Sequence, residues 1–239
     1  MIQKRIWELD ALRGICILGM LIFHLLYDMT ELFRLVSWSI PSWLTSIADA
    51  GGSVFLLLSG LCVTLGSRPL RRGLVVFGCG MLCTMVTWAM YKLGLAGQST
   101  VIRFGVLHCL GLCMLLWPCV KRLPVWALTV LGILILGLGW YWEACGIRVS
   151  SQWLFPLGLR YRGFSSADYY PLLPSLGWFL LGAVLGRSLY KNRQSLLPKT
   201  HSQKQPLAFF RLCGQHSLII YLLHQPVFCG VLSLLTLMR

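Results

Sequence analysis

The chain has 239 residues, 57% apolar and only 12% charged, with a mean hydropathy of +0.74. This excludes an ordinary water-soluble domain and points to a polytopic membrane protein. The net charge of +14 is no nucleic-acid signal, because Lys and Arg fall in short runs between apolar segments, where they set membrane topology.

In chain order, Lys4 and Arg5 precede an apolar run over residues 11–32. The run is too long for a cleavable signal sequence and lacks a small-residue exit, so it reads as a retained first span. Arg13, His24 and Asp28 stand inside it. Even lenient insertion scales put a mid-span Asp or Arg at about 2.5–3.5 kcal/mol, so such groups pair, relay protons or do chemistry. Eleven residues at about 100° each return His24 to within about 20° of Arg13, about 16 Å further along the axis. One stripe then carries a cation at a membrane face and an imidazole–carboxylate pair deeper in. A neutral imidazole suits general-base work near neutral pH. Asp28, one turn on, is placed to hold its tautomer and stabilise the imidazolium.

Six further spans are expected near 44–66, 73–94, 101–119, 124–142, 172–190 and 214–237, giving an all-α bundle of about seven transmembrane helices in a single membrane domain. Pro41 and Pro124 mark the entries of the second and fifth. The connection after the second span holds Arg68, Arg71 and Arg72. It is first a topology signal, but guanidinium forks also grip phosphates bidentately. With Arg13 these arginines are candidates for the donor side of a reaction. A phosphorylated, long-armed donor held there could extend its reactive end up the Arg13–His24 stripe, and coenzyme A has that shape.

Arg103 and His108 lie near the start of the fourth span, and residues 143–171 form the longest polar connection. That connection mixes Arg160, Arg162 and Asp168 with Trp153, Tyr161, Tyr169 and Tyr170. Its length and chemistry read as a loop that covers or lines a site. The basic stretch 191–213 reads as a flexible cytoplasmic linker. His224 lies near the middle of the last span, two residues before Pro226, which frees a carbonyl in the preceding turn. His24, His108 and His224, at comparable depth on different helices, are candidates to converge on one cavity, with Arg103 and Asp168 on its acceptor side. His201 and His216 carry no signal. Most of the ten cysteines fall in apolar runs and read as packing residues rather than disulfides or metal ligands.

Counting Lys and Arg with the N-terminus inside gives thirteen basic residues in cytoplasmic segments against seven outside. That favours N-in and C-out.

The opening ELDALRG over Glu8–Gly14, followed by ten residues and His24, is similar to the start of transmembrane acyltransferases. RFGVLH over Arg103–His108, DYYPLLP over Asp168–Pro174, GWFLLG over Gly177–Gly182 and SLIIYLLHQP over Ser217–Pro226 resemble bacterial proteins with a heparan-α-glucosaminide N-acetyltransferase catalytic domain. The resemblance implies a multi-pass enzyme of the bacterial cytoplasmic membrane. It would take acetyl groups from cytosolic acetyl-CoA and deliver them to an amino or hydroxyl group of a sugar or glycan on the other side. It makes His24 the base or acyl carrier and places Arg13, Arg68 and Arg71 on the donor side. Acetyl-CoA is then a substrate, with no metal or prosthetic group expected. The expected partners are membrane lipid, the donor and the glycan acceptor, and a homodimer is compatible with the sequence. The alternative from another class is a proton-coupled transporter or flippase that uses His24, Asp28, His108 and His224 as a relay.

Overall fold

The computed structural model describes residues 5–197 and 206–238. Its helices are α1 (Trp7–Tyr27), α2 (Ser42–Leu65), α3 (Pro69–Lys92), α4 (Val106–Val120), α5 (Val125–Ala144), α6 (Leu172–Leu189), α7 (Leu207–Gln215) and α8 (Ser217–Leu237). The fold is all-α. A short parallel pairing of β1 (Arg148–Val149) with β2 (Arg160–Tyr161), and a parallel bridge between Phe104 and Tyr169, tack down the polar connection after α5.

Among the described residues six helices are long and apolar enough to cross a membrane: α1 with the turn that follows it, α2, α3, α5, α6 and α8. At 15 residues α4 is shorter than the span expected near 101–119. The chain descends in extended form through Val101 and turns helical only after Gly105. The first helix begins at Trp7 rather than at residue 11, which places Glu8 and Asp10 inside it. Pro69 sits in the first turn of α3, where its missing N–H costs no hydrogen bond. Leu173 keeps extended backbone angles ahead of Pro174, so α6 is kinked at its start.

The sequence reads as one membrane domain, whereas the internal contacts group into two compact units. One comprises Met1–Phe55 with Asn192–Arg239, the other Leu56–Lys191. The first is discontinuous because α1 finds its partners at the far end of the chain.

In that first unit α1 packs along α7 and meets α8 near its C-terminal end. The α1–α7 approach is backbone to backbone. A Cβ at Gly14 would overlap the Phe210 carbonyl oxygen, and one at Gly214 would overlap the Asp10 carbonyl oxygen. The expected linker 191–213 is therefore corrected over its last part: Phe210, Cys213 and Gly214 recur at helical spacing and turn toward α1. Its first part is tied down too. Glu8, buried, accepts hydrogen bonds from Ser195 Oγ at 2.6 Å and from the Leu196 N–H at 2.8 Å. The basic positions Lys4, Lys199, Lys204 and Arg239, and His201, lie outside the described residues.

In the second unit α3 packs on α4, α5 on α6, and α4 also touches α6. Cys109 and Cys113 are fully buried in α4 and serve as small apolar packing groups. At one end the Arg187 guanidinium lies 5.1 Å over the Trp117 ring and donates to the Lys121 and Leu123 carbonyls, satisfying acceptors at the end of α4.

Gly14→Ala should lower stability by about 1–3 kcal/mol because the new methyl group meets backbone that cannot yield. Gly19→Ala, with open space around its Cβ, should stay within about 0.5 kcal/mol of the parent. Thermal unfolding of both variants in detergent micelles measures the contrast.

Candidate active site

Three of the residues singled out from sequence converge in the first unit. His24 lies in the last turns of α1 and is half-buried. Its ring centroid is 5.1 Å from that of His224 on α8, with the planes inclined at 59°. Asp28 follows one turn later and is 1% exposed. At Asp28 the backbone leaves α-geometry for a π-helical turn, Asp28–Leu32, in which the Phe33 N–H reaches back to the Asp28 carbonyl at 2.8 Å. Such one-turn widenings let a helix re-aim a side chain and recur at functional sites. Thr30 in the same turn donates its hydroxyl to the Leu26 carbonyl at 2.9 Å.

The carboxylate of Asp28 does not hold the His24 imidazole as expected. Both its oxygens accept from Gln225 Nε2 on α8, at 3.0 and 2.9 Å. The physical reason lies in the partner helix. The Gln225 side-chain amide, immediately before Pro226, supplies a donor that needs no charge, and a buried carboxylate takes whatever donor is within reach. Gln225 is the residue the sequence reading passed over. Its signal was present, since a carboxamide in the middle of an apolar span also has to be satisfied.

His224, 9% exposed, sits beside that clasp. Its Nδ1 lies 2.5 Å from the Tyr221 carbonyl oxygen. A carbonyl only accepts, so Nδ1 carries the proton and Nε2 is left with a lone pair. Nε2 is buried and has no hydrogen-bond partner among the described residues. Tyr221 and Phe228 complete the ring's surroundings, at centroid distances of 5.4 and 5.9 Å. The His24 ring meets Phe23 edge-on at 6.1 Å, and among the described residues nothing hydrogen-bonds its nitrogens.

Arg13 occupies the same α1 stripe, half-buried, and no described residue pairs its guanidinium. Asp10, one turn earlier and buried, accepts from Gln215 Nε2 of α7 at 3.3 Å. Glu8 and Asp10 were not singled out from the sequence, although two acids at the head of an apolar run carry the same kind of signal as Asp28.

Arg103, His108 and Asp168 belong to the second unit and have structural partners there. His108 is 2% exposed, and both its ring nitrogens are used. Nδ1 accepts the Gly105 N–H at 3.2 Å, and Nε2 donates to Thr84 Oγ1 at 3.2 Å, whose own hydroxyl goes to the Ile102 carbonyl at 2.7 Å. Asp168 Oδ2 accepts the Val106 N–H at 3.0 Å, capping the first turn of α4, and it fills the space a Cβ on Gly105 would need. Arg103 donates through Nε to the Ser165 carbonyl at 3.1 Å and through its backbone N–H to Ser166 Oγ at 3.0 Å. These three residues therefore cap α4 and latch the 143–171 connection to its entry. Of the three histidines, His24 and His224 come together within the first unit, and His108 is a capping and core residue of the second.

The latched connection is itself ordered around Phe104, Phe155, Phe164 and Tyr169, whose rings stack edge-on or tilted. Tyr169 donates to the Phe155 carbonyl at 2.7 Å under the Arg160 guanidinium, 4.8 Å from its ring. Burial pushes the Tyr169 phenol up, and the Arg160 charge works against that rise. Arg68, Arg71 and Arg72 are exposed around the start of α3, with Arg68 in the left-handed backbone region.

The family described as heparan-alpha-glucosaminide N-acetyltransferase, catalytic, matches the chain over residues 5–226. That stretch contains both the His24–Asp28 segment and the His224–Gln225 pair. No curated protein and no solved structure matches the chain.

Gln225→Leu strands a buried carboxylate and should cost about 2–3 kcal/mol. The double variant Asp28→Leu with Gln225→Leu should recover much of that loss. A double-mutant cycle on unfolding in micelles reads the coupling, expected at about 0.5–3 kcal/mol; strict additivity would mean the clasp does not form. Asp168→Ala, which removes the α4 cap, should cost about 0.5–2 kcal/mol in the same assay.

Proposed function

This chain belongs to the heparan-α-glucosaminide N-acetyltransferase catalytic-domain family, and on that premise we propose that it moves an acetyl group from cytosolic acetyl-CoA to an amino or hydroxyl group of a sugar or glycan across the membrane. The observation that carries the reading is the His24 imidazole. It is half-buried in a helix apolar enough to span a membrane, its nitrogens are unbonded among the described residues, and a second histidine and a held carboxylate lie beside it.

The chemistry asked of these groups is simple. The acceptor's nitrogen or oxygen attacks the thioester carbonyl, the new C–N or C–O bond forms, and the C–S bond breaks to release the coenzyme thiolate. His24 takes the proton the nucleophile sheds, a general-base contribution of about 10²–10⁴-fold. Holding donor and acceptor on either side of one imidazole supplies proximity as well. Asp28, kept in place by Gln225, contributes a fixed negative charge one turn from the imidazole, which favours the imidazolium as it forms.

Arg13 lies about 16 Å down the α1 axis from His24. A phosphate or the 3′-phosphoadenosine end of the donor bound there leaves the pantetheine arm to span the stripe between them. We place Arg68 and Arg71, exposed around the start of α3, on the donor's phosphates as well, with Arg72 beside them in sequence. On the same reading the N-terminus is cytoplasmic, the protein sits in the bacterial cytoplasmic membrane, and the 143–171 connection faces the acceptor side.

Purified protein incubated with radiolabelled acetyl-CoA and a panel of amino sugars should release CoA and yield acetylated sugar. His24→Ala should lower turnover by at least about 100-fold while leaving acetyl-CoA binding and the unfolding midpoint near those of the parent. Undiminished turnover by that variant would remove His24 from the chemistry. A proton-driven carrier built on the same groups would consume no acetyl-CoA at all.

A further inference from the structure

We infer that His224 is the proton-accepting positioning residue behind His24, in the place where the sequence put Asp28. The inference rests on the transferase reading above and adds a group to it.

Three observations lead there. The carboxylate of Asp28 is occupied on both oxygens by Gln225 Nε2 and makes no hydrogen bond to His24. The ring that faces His24 from α8 is that of His224, 5.1 Å away. Its tautomer is fixed from behind, because Nδ1–H points at the Tyr221 carbonyl oxygen 2.5 Å off, so the buried Nε2 holds an unshared pair with no partner among the described residues. Buried acceptors are almost always satisfied, and one left open beside a second imidazole is open for a proton.

The arrangement has the logic of a base backed by an orienter, with a peptide carbonyl in the orienting position. A neutral carbonyl fixes the ring without burying another full charge in the span. When Nε2 gains a proton, the existing Nδ1–H bond to Tyr221 becomes charge-assisted and strengthens. The step balances. The acceptor's proton passes to the free nitrogen of His24, and the proton on the other His24 nitrogen passes to His224 Nε2, directly after a small ring rotation or through one bridging water. His24 ends neutral with its tautomer exchanged, His224 ends as imidazolium, and the released thiolate is protonated when the site resets. The titratable groups against the His224 ring are His24 from α1 and Tyr221 from α8 itself, while Asp28 and Cys229 both meet the adjoining Gln225.

His224→Asn separates the two ends of the ring. The Asn amide keeps an N–H for the Tyr221 carbonyl but offers no acceptor at the Nε2 position. With acetyl-CoA and glucosamine as substrates, kcat should fall about 100-fold while KM for acetyl-CoA stays within about twofold, since the donor does not touch this ring. A merely structural His224 would leave kcat intact in that variant. The parent protein supplies an independent reading: its kcat in mixtures of H2O and D2O should follow a bowed curve, reporting two protons in flight, and His224→Asn should straighten it. A straight line for the parent, or parental kcat in His224→Asn, overturns the inference. A parent that releases no CoA with any amino sugar overturns the transferase reading itself, and with it this step.

Discussion

A carboxylate placed inside an apolar helix has to find a donor, and here it finds one carboxamide. The clasp between Asp28 and Gln225 ties the end of α1 to α8, helices that are almost two hundred residues apart in the chain. Because successive helical residues point about 100° apart, fixing Gln225 against Asp28 also fixes the neighbouring His224 against His24. The histidine pair is thus a consequence of the clasp. Hydrogen bonds to a charged group are worth about 1.5–3 kcal/mol each, and an unpaired buried carboxylate costs more, so the contact specifies register as well as supplying energy. The π-helical turn that starts at Asp28 fits the same demand, widening the backbone where the side chain must reach sideways.

The other end of α1 is held by a different means. There the approach to α7 is so close that Gly14 and Gly214 have backbone carbonyls where a Cβ would stand. Without a hydrophobic drive between helices in lipid, dense packing of small residues and satisfied polar groups does the joining. Glu8 and Asp10 follow that rule: each is buried and each is bonded to a segment from the C-terminal part of the chain. The polar stripe of α1 is therefore bonded near its start and at its end, and it leaves Arg13 and His24 between them without hydrogen-bond partners among the described residues. Those two groups take the donor-phosphate and general-base roles in the proposed chemistry.

In the second unit the same residue types do opposite work. His108, Asp168 and Arg103 look as suggestive in sequence as His24 and Asp28, yet each is used up locally in capping α4 or latching the 143–171 connection. The difference is one of satisfied bonding capacity. Both nitrogens of His108 are engaged, whereas among the described residues His224 Nε2 and both nitrogens of His24 have no hydrogen-bond partner. A histidine near a Gly at a helix start, three residues into the turn, is well placed to cap; that spacing was readable in RFGVLH but competes with a catalytic reading that the same letters allow.

Composition and apolar run length determined the membrane class, the all-α architecture and, to within a few residues at most boundaries, the spans, because the thickness of hydrocarbon sets a length that the chain must match. Local periodicity likewise placed Arg13, His24 and Asp28 on one stripe, since the helical repeat is a property of the backbone alone. Only the tertiary structure decided which donor reaches Asp28, that residues 207–215 form a helix against α1, and that His224 meets His24. Those outcomes depend on which distant segments come within about 3 Å, and hydrogen bonding at that range is set by packing between helices, of which the order of residues along one helix carries no record.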